Sequence, residues 1–370
     1  MRYRARVQGV LYFPLIDVPD SPWLYRALLY WDDVGTIVPD SWPMMPERLA
    51  PHTLNLVQAE LIRQALPHQA ANEMRNGYEH WLRALNPDIV ERRRVRFNEG
   101  SFRRIHYDKW MAMGSGLDAT EDLGLARVRR RYDWIDVETQ TAAEFMAALA
   151  LALCHPASDF SRDNAPSATR WVPASDQPDA VAAMLSGLDA LQPNDPTARE
   201  LRLRVQGEVR ASQIRTSILE RCLPVPEDSL IVDDILSFRR RHHDALPRFR
   251  RYLEARVDEA LQYGDPVLHF RALDRIAEEI EELTAQVEAY LRESGIRRIR
   301  RSGLLRILKV VPGLSGPIEA AQETAAVLAT APDVTGEPLA YLAFARAELR
   351  LASAYGPAPG ALPLAQVFAS

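Results

Sequence analysis

At 370 residues the chain exceeds what one hydrophobic core ordinarily organises, so two domains, or one with a large extension, are expected. Hydrophobic content of 47% with 26% charged residues excludes a wholly disordered, collagen-like or many-span membrane protein. The net charge of −5 removes the global basic field of a typical nucleic-acid binder, although the basic residues are skewed: Lys109 and Lys309 are the only lysines among 45 basic residues.

In chain order, residues 7–16 are apolar β-formers and predict a buried strand ending in a Pro-rich turn. Ser21 followed by Pro22 reads as an N-cap and first helical position, opening a helix with Leu24, Leu28 and Trp31 on one face that ends near Gly35. Thr36–Pro39 is short enough for a second strand, which makes a strand, helix and strand in succession. From His52 to Leu85 the pattern is helical, through Leu54, Val57, Leu61 and Ile62 and then Met74, Tyr78, Trp81 and Leu82. Residues 101–110 and 132–138 alternate as strands do. Thr141–Cys154 is nearly all strong helix formers and too apolar to face water, which predicts a buried central helix.

Between Pro156 and Pro196 the composition shifts to Pro, Asp, Ser and Asn, which predicts loops around one short helix at 178–191. Residues 229–261 and 267–294 both carry helical periodicity and predict an antiparallel hairpin. The expected fold is therefore α+β and predominantly helical. A small N-terminal sheet with packed helices (1–175) precedes a loop-rich connector with short helices (176–228). A helical domain (229–370) follows, made of the hairpin and an apolar helical tail from 296 onward.

The clearest signal is the apolar stripe Leu273, Ile276, Ile280, Leu283, Val287 and Leu291. It predicts a surface for a protein partner or a second copy of the chain, and so a non-enzymatic interaction or regulatory protein that needs no cofactor. A metal-dependent hydrolase or nuclease is the first alternative. Asp32, Asp136 and Asp159 stand at the ends of predicted elements and could converge on Mg²⁺, which takes hard oxygen ligands. The second alternative is a membrane-acting effector using 302–311, where Leu304–Val311 would enter an anionic surface while Arg306 and Lys309 meet headgroups.

Other signals are weaker. Cys154 and Cys222 lack metal-ligand spacing and read as buried thiols, while His106 and His155 are isolated and read as structural. No GxSxG, HExxH, Walker or GxGxxG motif is present. The arginine clusters at 92–94, 127–131, 239–241 and 297–301 are offset by nearby acids, so they predict ion-paired faces rather than a nucleic-acid surface. No signal peptide or 18-residue apolar span is recognised, and a cytoplasmic location is expected.

The segment GVLYFPLIDVPDSPWLYRALLYWDDVGTIVPDSW resembles an uncharacterised bacterial family known as a domain of unknown function. WIDVETQTAAEFMAALALAL and LPVPEDSLIVDDILSFRRRHHDALPRFRRYL extend the resemblance to about Leu261. Where the family has Thr-Asp after the apolar helix, this chain has Ser158-Asp159. The resemblance implies an intracellular bacterial protein and an association with accessory or antiviral defence systems, with no activity attached.

Overall fold

The computed structural model describes residues 9–70, 77–111, 116–128, 133–154, 171–177, 179–180, 182–184, 196–223, 232–293 and 337–349. Its described residues divide into two compact units, with the boundary between Gln213 and Ile214. The protein is α+β and mostly helical, as its composition and periodicity predict.

The first unit is built on a four-stranded parallel sheet. Strand β1 (Gly9–Tyr12) is followed by helix α1 (Pro22–Tyr30) and β2 (Asp33–Ile37), then α2 (Pro51–Gln58) and β3 (Ile62–Ala65). Strand β7 (Trp171–Ala174) pairs with the other side of β1, giving the order β3-β2-β1-β7. Ser21 caps α1 by accepting from the Leu24 N–H, with Pro22 at the first helical position, as predicted. The helix stops at Tyr30, five residues before Gly35, because Trp31 turns to extended backbone and Val34, Thr36 and Ile37 join the sheet. Gly35 is a close-approach residue: a Cβ there would lie 3.2 Å from the Trp171 ring. The predicted helical run through Leu61 and Ile62 is likewise overturned. Glu60 takes positive φ two residues beyond α2, and Ile62–Ala65 pair with β2. So short an apolar run does not distinguish helix from strand by period, and the available sheet edge decides.

Strand β7 falls in the segment predicted as loops. It contains Pro173, which an interior strand would not tolerate, and it lies at the sheet edge with only β1 beside it. Trp171 packs over Gly9, where an added Cβ would stand 2.4 Å from Cδ1 and 2.8 Å from the Asp33 carbonyl oxygen. Gly9→Ala is therefore expected to destabilise by about 1–3 kcal/mol, read as a lower urea midpoint at unchanged m-value.

Helices α3 (Gly77–Arg83) and α4 (Pro87–Asn98) lead to β4 (Phe102–His106), which runs directly into α5 (Tyr107–Met111). After α6 (Gly116–Asp122), strands β5 (Ala126–Val128) and β6 (Trp134–Glu138) complete an antiparallel sheet in the order β4-β6-β5. The strand predicted over 101–110 is thus half strand and half helix. Helix α7 (Thr139–Cys154) is buried almost throughout and packs on β1, β4, β6 and β7. Phe145 stacks on Trp110 at 4.1 Å. Period two along β1 separates the faces: Leu11 and Phe13 join the α7 core, while Tyr12 meets Trp23 of α1.

Helix α8 (Pro196–Cys222) carries the chain into the second unit. It is one helix of 27 residues where short helices in a connector are predicted, since no proline follows Pro196 until Pro224. The second unit then has α9 (Val232–Arg241), α10 (Leu246–Leu261), α11 (Pro266–Glu293) and α12 (Ala340–Glu348). The first arm of the predicted hairpin is split at 242–245, immediately before Pro247, whose missing N–H and ring exclude an unbroken helix. Both α10 and α11 pack against α12. Phe249 stacks on Tyr341, and Arg346 of α12 donates to Glu281 of α11 (3.0 Å). Among the described residues no helix is long and apolar enough to cross a membrane.

Candidate functional site

In an open parallel sheet, ligands bind outside the carboxyl ends of the strands, where the direction of winding reverses. Here β1 is followed by β2 on one side and has β7 on the other, so the reversal lies between β1 and β7. At that edge the Tyr12 hydroxyl donates to Asp176 Oδ1 (2.9 Å). Burial first, and the adjacent Asp176 carboxylate second, hold this phenol protonated well above its ordinary range.

The β4–α5 segment runs along this carboxyl edge. Arg103 of β4 donates to Gln177 (3.1 Å) and lies 3.6 Å from Asp179, both beyond the end of β7. Asp108 of α5 accepts from the Ser41 hydroxyl (2.7 Å) and backbone N–H (3.2 Å), just beyond β2. Helix α5 then packs on the turn Pro67–Ala70 that follows β3. The segment thus spans the edge from β7 past β2 to β3.

Three polar groups at the β2 end of this edge are buried. The His106 ring meets Trp42 and Trp134 edge-on, at 5.8 and 5.3 Å. Its Nδ1 accepts the Asp108 N–H (3.2 Å), which leaves the proton of the neutral ring on Nε2. Among the described residues no partner reaches His106 Nε2 or Trp42 Nε1. Lys109 is 2% exposed, and burial alone brings its ammonium down to about 7. The His106 pKa is lowered as well, by burial first, with Asp108 and Asp133 opposing and Lys109 and Arg48 reinforcing. An amine with a substantial neutral fraction near pH 7 is both a nucleophile and a base, and its neighbours supply N–H donors.

The acids predicted as metal ligands are placed differently. Asp32 is exposed and precedes β2, at the amino edge of the parallel sheet, opposite the end where ligands bind. Asp136 is buried in β6 of the antiparallel sheet, in register with Arg104 and Arg127, and Arg104 Nε lies 3.6 Å from it. Asp159 lies outside the described residues, as does His155. Among the described residues no three His, Cys, Asp or Glu side chains are grouped to hold one ion.

The predicted interaction stripe is also reassigned. Leu273, Ile276 and Ile280 are buried in the core of the second unit, where α10 and α12 both pack on α11. The three therefore cannot form a docking face, because a later segment of the same chain covers that region. Leu283 and Val287 are half-buried, and the side chain of Leu291 lies outside the described residues, as does the segment 302–311.

Residues 59–350 match the model of a family described as "Family of unknown function (DUF6236)". The chain belongs to this family. No curated protein and no solved structure matches it. The family span takes in His106, Asp108, Lys109 and Trp134, whereas Tyr12, Ser41 and Trp42 precede it. Sequence reading noted Lys109 only as one of two lysines, gave it no role, and took His106 as structural. The available signal was the near-absence of lysine: a lone Lys between Asp108 and Trp110 in an arginine-rich chain is conspicuous.

Proposed function

We propose that this family member binds a small acidic ligand, carrying a carboxylate or phosphate, at the carboxyl edge of its parallel sheet. The observation that supports the reading is the pair of buried donors Trp42 Nε1 and His106 Nε2, for which the described residues supply no acceptor, on the same edge as the buried Lys109. A buried donor left unpaired costs about 1–3 kcal/mol, and a hydrogen bond to a charged acceptor recovers about 1.5–3 kcal/mol. An acceptor-rich anion offsets what the fold leaves unsatisfied. Position supports the same reading, since this is the edge where open α/β sheets hold ligands.

Thermal unfolding and intrinsic tryptophan fluorescence, with inorganic phosphate and with oxalate as probes, test the reading. Either anion at 100 times its dissociation constant is expected to stabilise the wild type by about 2.7 kcal/mol and to perturb Trp42 and Trp134 emission. Both effects should be lost in Lys109→Met. No anion-dependent shift, or equal shifts in wild type and variant, would end this reading.

A further inference from the structure

We propose that Lys109 is a covalent-binding residue that condenses with the carbonyl group of a small acidic aldehyde or keto compound to form an imine. The inference rests on the anion-binding reading above and deepens it by assigning a reaction to one of its donors. In that reaction the amine nitrogen attacks the carbonyl carbon and a carbinolamine forms. Both amine hydrogens then leave with the former carbonyl oxygen as water, so no oxidant or reductant is required.

Several independent features converge on this residue. Lys109 lies on α5, beyond the carboxyl ends of the strands, and the helix is held there by the Asp108–Ser41 bonds. Among the described residues no carboxylate forms an ion pair with it, whereas most other buried basic side chains are committed. Arg93 is paired with Glu144, Arg215 with Glu254 and Arg346 with Glu281. A lysine kept in a buried position without a counter-ion is costly, and the neutral amine that results is the form that attacks carbonyls. The neighbouring His106 and Trp42 N–H groups suit the acidic end of the same ligand. The surrounding arginines cannot substitute, because a guanidinium keeps its proton and forms no imine under these conditions.

The chain provides its own control, since Lys309 is the only other lysine. The full-length protein at pH 7.5 would be incubated with glyoxylate or glycolaldehyde phosphate plus sodium cyanoborohydride, and the reduced adducts mapped by mass spectrometry. Neutral glycolaldehyde serves as the uncharged comparison. An ordinary lysine is neutral in only about one molecule in a thousand at that pH, so labelling of Lys109 is expected to exceed that of Lys309 on the order of tenfold or more. The acidic probes should outpace the neutral one, and inorganic phosphate should slow them. Glyoxylate outpacing glycolaldehyde phosphate assigns the acid as a carboxylate, and the reverse assigns a phosphate. Lys109→Met, which buries no charge, should abolish the adduct while its circular dichroism stays that of the wild type. Labelling of Lys109 no faster than Lys309, or without preference for the acidic probes, overturns the imine. Anion-dependent stabilisation requires no carbonyl and is read separately, so the two failures are distinguishable.

Discussion

Glu144→Gln is expected to lower the unfolding free energy by about 3–5 kcal/mol, a large share of the roughly 5–15 kcal/mol available to a folded domain. Arg93 of α4 and Glu144 of α7 are each 3% exposed, and the guanidinium meets both carboxylate oxygens, at 2.6 and 2.9 Å. Gln140 donates to the same carboxylate (3.2 Å), while the Thr141 hydroxyl accepts from Arg93 (3.3 Å) and donates to Glu138 (2.9 Å). Glu138 is paired in turn with Arg96 at 3.1 Å. Removing one charge leaves Arg93 buried and uncompensated, which costs more than the net worth of the pair. The double variant Arg93→Met, Glu144→Leu should recover most of the loss, because it removes both desolvation penalties. Urea titrations of the three proteins measure this. A single-variant loss below about 1 kcal/mol would show that water reaches the pair.

Lys109→Met is expected to act in the opposite direction, stabilising the protein by roughly 1–3 kcal/mol at pH 7 while abolishing anion binding. The sign follows from proton linkage. Unfolded, Lys109 titrates near its ordinary value of about 10.4. Folded, it titrates at about 7. Between these values the unfolded chain holds a proton that the folded chain has shed, so wild-type stability rises with pH, by up to about 1.4 kcal/mol per unit. Below pH 7 both states are protonated and the full penalty remains. His106, whose pKa is also lowered by burial, adds a rise of the same sign at acidic pH. Tyr12 acts oppositely in alkali: its raised pKa keeps the folded proton after the unfolded phenol has ionised, so stability falls there. Urea midpoints between pH 7 and 9 avoid both. The wild type should gain stability across that window and Lys109→Met should stay nearly flat. Parallel slopes would mean that Lys109 is solvated.

The two variants separate two kinds of buried charge in one unit. Arg93 is ion-paired with Glu144 and supports the core, whereas Lys109 lacks an ion-pair partner among the described residues and weakens the fold. A buried ionisable group that costs stability is a candidate for a functional role.

The local chemistry of several elements was legible in the sequence. Ser21-Pro22 set the start of α1, and the unbroken run of helix formers at Thr141–Cys154 dictated a buried helix whatever surrounds it. Leu273, Ile276 and Ile280 were correctly read as one apolar face, but its occupant was not, because α12 arrives some sixty residues later in the chain. Strands β3 and β7 escaped detection for a related reason. Each is four residues long, and pairing with β2 or β1, rather than its own pattern, makes it a strand.

The candidate site shows the same division. Residue types and spacing marked the acids Asp32 and Asp136, yet the topology assigns one to the amino edge of the parallel sheet and the other to a different sheet. It also carries β4 and α5 along the carboxyl edge, which brings His106 beside Trp42 and Asp108 beside Ser41 from more than sixty residues away. By itself the sequence determined the fold class, the caps and the apolar faces, all of which depend on neighbours within a turn or two. Only the tertiary structure decided which polar groups lose their water, because desolvation depends on everything packed around a side chain and not on the residues next to it in the chain.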